Sequence, residues 1–217
     1  MAELSNAEDS KSSAGNGLGV RLPSSALSDP ITRFRRWFQE AARARVALPE
    51  AMALATTSRR GVPSVRIVLM KGADGGGVVF FTDRRSPKGR DLDRNTRAAL
   101  AFYWQPLGRQ VRISGRVRPI APADADAYWQ TRPRASRLAA LASHQSAPLA
   151  SRTQLTARWR RLCRQYRGRP IPRPPGWTGF CVIPESIEFW THREHRLHHR
   201  ELFVRTVRGW RRRLLQP

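Results

Sequence analysis

The sequence predicts an α+β fold: one mostly antiparallel β-barrel with helices packed around it. Five short β-type runs succeed one another between residues 51 and 120, and tight links ("RRG", "GADGGG", "DRRSPKG", "QPLG") separate them. Strands joined this closely pair antiparallel and close on themselves. Helical patterns stand before this block and after it. The chain has 217 residues, 40% of them hydrophobic, which is enough for one domain with a core of its own.

Residues 1–28, rich in Ser, Gly, Ala and Asn and without apolar periodicity, read as a mobile arm; 29–217 read as the folded domain. In "SDPITRFRRWFQEAARARVAL", Asp29 suits an N-cap and Pro30 the first helical position, and Ile31, Phe34, Phe38 and Ala41 share a face. The strand runs are "AMALATTS", "VPSVRIVLM", "GGVVFFTD", "RAALAFYW" and "RQVRISGRVRPI". "APADADAYWQTR" and "SRTQLTARWRRLCRQYRG" read as helices, the second with Leu155, Trp159, Leu162 and Tyr166 in a stripe. "RPIPRPPGW" is a stiff connector, and "GFCVIPESIEFW", "RELFVRT" and "GWRRRLL" return to strand.

Forty basic residues against 16 acidic give a net charge of +24, a balance that favours anionic partners: nucleic acid, phosphorylated metabolites or an acidic membrane surface. Only three lysines occur, Lys11, Lys71 and Lys88, so each places a compact point charge in an arginine background. Cys163 and Cys181 form no CxxC or metal spacing, which suggests a reducing compartment. No signal-peptide pattern and no membrane-length apolar run is present, so a cytoplasmic location is expected.

Several stretches carry chemistry. "RIVLMK" brackets four apolar residues with Arg66 and Lys71, which a regular strand points to opposite faces, one cation for each of two anionic groups. "TDRRSPKGR" reads as a loop whose amides, Ser86 and Lys88 could hold a phosphate. In "YWQTRPRASR", Tyr128, Arg132 and Ser136 are four apart and would aim together from one helix, although Pro133 interrupts it. "EFWTHREHRLHHR" holds four of the five histidines; His192, His195 and His198 are three apart, but no Asp or Cys completes a ligand set and Arg193, Arg196, Arg200, Arg205 and Arg208 would repel a dication. A metal is therefore not expected. Read as strand, the segment puts Arg196, His198 and Arg200 on one face, an anion-tolerant wall, with His192 and His195 as surface residues. "RWRRLCRQYRGRPIPRPPGW" interleaves arginines with aromatics as nucleic-acid binders do, yet no nucleic-acid motif accompanies it.

In this order, "DPITRFRRWF", "PEAMALATT", "RIVLMK", "VVFFTD", "GRQVRISG", "YWQTRPRASR", "SHQS", "PPGWTGF", "IEFW", "RLHHR" and "RRLLQP" resemble the pyridoxamine/pyridoxine 5′-phosphate oxidase family. The resemblance runs from about Asp29 to Pro217. It implies an FMN-binding split barrel that works as a homodimer with flavin sites at the subunit interface. It implies flavin contacts from Arg66, Ile67, Val68, Leu69, Met70, Lys71, Phe81, Thr82, Lys88, Gln110, Gln145, Ser146, Trp190 and Arg200. The substrate phosphate would meet Lys71, Tyr128, Arg132 and Ser136, with Arg196 and His198 flanking the pyridine ring as the catalytic pair. The implied reaction is hydride transfer from the substrate's 4′ carbon to the flavin, with O2 as acceptor and H2O2 as product. Three departures stand out: His199 replaces the family's Asp in "RLHDR", Pro87 replaces a basic residue, and "WTHRE" replaces a "WQG" run. Related flavin enzymes of phenazine formation share the scaffold, so another substrate on the same scaffold is the alternative, and an arginine-rich nucleic-acid-binding protein is the reading from a different class.

Overall fold

The computed structural model describes residues 29–74 and 76–217. The N-terminal segment 1–28, expected to be a mobile arm, lies outside the described residues. Eight strands form one antiparallel sheet, β1 (Ala51–Thr57), β2 (Pro63–Asp74), β3 (Gly77–Asp83), β4 (Arg97–Trp104), β5 (Arg109–Pro119), β6 (Trp177–Thr191), β7 (His199–Thr206) and β8 (Gly209–Leu215), in the order β3-β2-β1-β4-β5-β6-β7-β8. An additional β3–β6 pairing closes the first six into a barrel and leaves β7–β8 as a flap on its side. Strict alternation drives closure: β1, β4 and β5 bury every second residue over most of their length, so Met52, Leu54, Leu100, Phe102, Val111 and Ile113 fill the interior.

Helix α1 (Pro30–Arg43) begins as expected, with the Asp29 carboxylate accepting from the amides of Ile31 and Thr32. Phe34 is fully buried against Phe102 and Trp104, at ring distances of 5.1 and 6.2 Å. Trp37, absent from the expected apolar face, is buried edge-on against Phe189 at 5.0 Å. Helices α3 (Pro122–Thr131), α4 (Arg134–Ala142) and α5 (Arg152–Gln165) build a second, smaller core of Trp129, Leu138, Ile171 and Trp177. The Trp129 indole N–H donates to the Ile171 carbonyl at 2.8 Å, tying α3 to the proline-rich connector.

Three expectations change here. "SPKGR" is the start of a helix, α2 (Pro87–Arg94): Ser86 caps it by accepting from the Gly89 amide, and Pro87 supplies the fixed φ that a first helical position favours. Tyr128, Arg132 and Ser136 do not share one helix, because Arg132 is extended between α3 and α4, as the residue before Pro133 must be. Arg196 is not in a strand either. Residues 194–196 form a 3₁₀ turn in which His195 and Arg196 have φ of 54° and 65°, and β7 starts only at His199. Among the described residues no helix is long and apolar enough to cross a membrane.

Candidate functional site

Two adjoining cavities of 260 and 340 Å³ lie where β2, β3 and α2 meet α3–α4. Arg66, Ile67, Val68, Leu69, Lys71, Phe81, Thr82, Lys88, Tyr128, Arg132 and Gln145 line the first; Ser136 joins Arg132, Thr82 and Gln145 in the second. Arg66 and Lys71 were expected on opposite faces. They border one cavity instead, because the β2–β3 register shifts between Met70 and Gly72 and both side chains are long. Met70 turns into the core, and Ser146, with φ of 65°, borders a neighbouring cavity.

Four cations therefore converge, and among the described residues none of them is in an ion pair. Lys88 is 7% exposed, its ammonium 3.0 Å from Gln145 Oε1 and 3.3 Å from Thr82 Oγ1. Burial pushes it below the ordinary lysine value of 10.5; Arg66 pushes the same way and Asp83 pulls back. Burial likewise lowers Arg66 and Arg132 and raises the Tyr128 phenol. Arg132 Nη1 is buried without any hydrogen-bond partner, while its guanidinium lies 4.8 Å from the Trp177 ring and 5.3 Å from Trp129. A desolvated, unpartnered guanidinium is costly, and an anion accepting from it would relieve that cost. Beside these cations Phe81 stacks on Tyr128 at 4.0 Å and on Trp177 at 5.0 Å, an aromatic wall for a planar ligand.

Gly89 sets where Lys88 stands. A β-carbon there would lie 2.3 Å from the Arg84 carbonyl oxygen, so the first turn of α2 packs directly on the preceding loop. Gly89→Ala is expected to destabilise the fold by about 1–3 kcal/mol, as overpacking does. Thermal unfolding of the variant checks this.

The remaining expected residues border neither cavity. Gln110, Trp190 and Arg200 are register neighbours across β5, β6 and β7. Arg200 donates to the buried Glu188 at 2.8 Å and to the Gln216 carbonyl. His198 packs on Trp190 at 4.6 Å and accepts from the Arg193 amide through Nδ1. Partial desolvation, then His192 and Arg196, lower it below the usual 6.5. His192, expected to be an uninvolved surface residue, is exposed but reaches the His198 ring at 5.3 Å. His199 turns away onto Glu201, Nε2 to Oε2 3.1 Å. One chain thus carries two separate clusters.

Two contributors had no signal of their own in the sequence. Trp177 borders both cavities, and only its place after a Pro-Pro-Gly turn hints at a defined position. Thr56 relays a hydrogen-bond chain in which Arg66 donates to its hydroxyl at 2.7 Å and that hydroxyl donates to Asp91 at 2.8 Å.

Residues 38–163 match the family model described as pyridoxamine 5′-phosphate oxidase, and 177–217 match the pyridoxine 5′-phosphate oxidase C-terminal dimerisation region. A pyridoxine/pyridoxamine 5′-phosphate oxidase of Anaeromyxobacter dehalogenans is 52% identical over 90% of this chain and 99% of its own. The crystal structure of PhzG from Burkholderia lata in complex with tetrahydrophenazine-1-carboxylic acid superposes with a TM-score of 0.85 at 36% identity, covering 92% of this chain and 98% of that one. A pyridoxamine 5′-phosphate oxidase-related, FMN-binding protein of Nostoc punctiforme shares the fold, with a TM-score of 0.69 at 19% identity over 85% of this chain and 97% of its own. The split barrel, the paired cationic and aromatic walls and these matches together place the chain in the pyridoxamine/pyridoxine 5′-phosphate oxidase family of oxidoreductases.

Proposed function

We propose that the protein is an FMN-dependent oxidase that converts pyridoxine or pyridoxamine 5′-phosphate to pyridoxal 5′-phosphate, with O2 as acceptor and H2O2 as product (the amine also taking up water and releasing ammonia), and that it works as a homodimer. The observation that carries this reading is the cavity of four cations without ion-pair partners, with Arg132 Nη1 orphaned beside an aromatic wall. Two phosphate groups and two flat rings fit that donor set. Bound FMN would supply the hydride acceptor and the route to oxygen.

The chain's own residues divide the remaining work. Arg66, Lys88, Thr82 and Gln145 would hold the flavin phosphate, since Lys88, Thr82 and Gln145 already form one polar cluster. Lys71, Tyr128, Arg132 and Ser136 would hold the substrate phosphate. Gln110, Trp190, Arg200, Arg196 and His198 would come from a second copy, because they lie outside both cavities. An exposed apolar strip on β2 and β4, Val65, Ile67, Leu69 and Tyr103, supports a second copy covering this face. With Nδ1 accepting from the Arg193 amide, a neutral His198 carries its proton on Nε2 and presents a donor to the substrate ring. It therefore orients the ring and attacks nothing.

The test is spectroscopic and kinetic. The purified protein should be yellow, release FMN on denaturation, and oxidise one of the two phosphorylated vitamers with formation of peroxide. Failure to turn over either vitamer while carrying full FMN would favour the second reading, a phenazine-type substrate, to which the likeness to PhzG points. The Tyr128–Arg132–Ser136 set argues against it, since a phosphate ester uses those groups and a carboxylated tricycle does not need all three.

A further inference from the structure

Catalysis leaves most of the +24 charge unexplained, and one segment of the chain carries a large share of it without any carboxylate. No aspartate or glutamate occurs between Asp126 and Glu185, while the same stretch holds eleven arginines. On the barrel side, guanidinium groups meet carboxylates: Arg36 and Arg109 on Glu40, Arg97 and Arg116 on Glu185, Arg112 and Arg200 on Glu188, Arg33 and Arg212 on Glu201. Among the described residues no ion pair involves any of residues 127–172. Arg132 faces the cavity, Arg137 donates to Gln130, and Arg134 donates to the carbonyls of Tyr166 and Arg169. Arg160, Arg161 and Arg164 on α5, with Arg167 and Arg169 just after it, are exposed. Arg160 and Arg164 are one turn apart, and like charges at that spacing weaken a helix by a few tenths of a kcal/mol. A bound polyanion would turn this repulsion into attraction.

We propose that the outer face of α5 and its C-terminal turn is a docking surface for the backbone of single-stranded nucleic acid, separate from the oxidase site. The guanidinium forks of this face match phosphate oxygens bidentately. Trp159 sits at the margin of the inward stripe of Leu155, Leu162 and Tyr166 and is still 37% exposed, so a base of a strand crossing from the arginine face meets part of its ring. A membrane surface fits less well. Leu162, Cys163 and Tyr166 pack inward on the second core, so α5 has no free apolar face to enter a bilayer.

The experiment uses the flavin-loaded protein, a fluorescein-labelled mixed-sequence oligonucleotide, and anisotropy at 50 and 200 mM salt. Five phosphate contacts on a single strand give a slope near −3.5 in log affinity against log salt, about a 100-fold loss across that range. The triple variant Arg160→Glu, Arg161→Glu, Arg164→Glu should shrink the loss to about sevenfold. Its Gln counterpart should do the same without charge reversal, in case the Glu form folds poorly. A charge-matched control, Arg59→Glu, Arg60→Glu, Arg94→Glu, lies on the β1–β2 turn and α2 and should keep the steep slope. The proposal is overturned if no binding occurs at 50 mM salt, or if the control weakens binding as much as the α5 variants. It is also overturned if a duplex of equal length or a phosphatidylserine vesicle binds more tightly than the single strand.

Discussion

Replacing Lys88 by Ala is expected to weaken FMN binding roughly 10- to 150-fold, the worth of one charge-assisted hydrogen bond at about 1.5–3 kcal/mol. Lys88 is buried, faces Thr82 and Gln145, and among the described residues is in no ion pair, so its ammonium is held ready for an anion. The same geometry predicts a pH dependence. Without flavin, burial and Arg66 hold the Lys88 pKa below 10.5, so the folded apoprotein binds this proton less tightly than the unfolded chain. Apoprotein stability from this group should therefore rise with pH between the lowered value and 10.5. A flavin phosphate at the ammonium would favour the charged form and raise the pKa again. FMN affinity should then fall as pH climbs through the apoprotein's lowered value, and Lys88→Ala should flatten that fall. Fluorescence titration of FMN across alkaline pH reads both effects. A variant that binds FMN like the wild type would remove Lys88 from the site.

Arg132→Met and Arg196→Ala are expected to fail in different ways and to rescue each other. Arg132→Met keeps a side chain against Trp129 and Trp177 but removes the orphaned guanidinium, so KM for the phosphorylated substrate should rise by about 10- to 100-fold. Apoprotein stability should fall little, because a buried unpartnered Nη1 goes with it. Arg196→Ala should instead lower kcat, by up to about 100-fold if the ring is misplaced by an ångström. Each variant loses one wall of the site. If the walls come from different subunits, mixed dimers rebuild one intact site in each heterodimer, and reassembly from denaturant should restore about a quarter of wild-type activity. Equal mixtures no more active than the variants would show that one chain supplies both walls.

Much of this cavity's lining is legible in the sequence. Arg66, Lys71, Thr82, Lys88, Tyr128, Arg132 and Gln145, named on resemblance, border one cavity. Taken singly, "RIVLMK" also fits a barrel strand with charged ends and "TDRRSPKGR" a solvated turn; it is their order along the chain that points to anion binding. The errors were local. Arg196 was placed in a strand because a run of polar residues after "SIEFW" has no period to mark where the strand ends; the left-handed backbone at His195 and Arg196 ends it. Helix α2 was missed because "SPKGR" is short and polar, and its main signal, Ser then Pro at cap and first turn, also describes a loop. Arg132 borders both cavities, with Tyr128 in the first and Ser136 in the second, because a break at Pro133 replaces the single helix face that was expected.

By itself the sequence determined the barrel strands and the start of α1. Alternation with period two and a cap followed by proline are local patterns whose physical meaning does not depend on distant partners. Only the tertiary structure decided that Trp177 stands under Arg132, that Lys88 is buried, and that Gln110, Trp190, His198 and Arg200 lie apart from those cations within one chain. Those facts depend on which segments, far apart in the chain, the closed sheet brings together. The β3–β6 pairing that closes the barrel joins residues about a hundred positions apart, and no local pattern encodes such a contact.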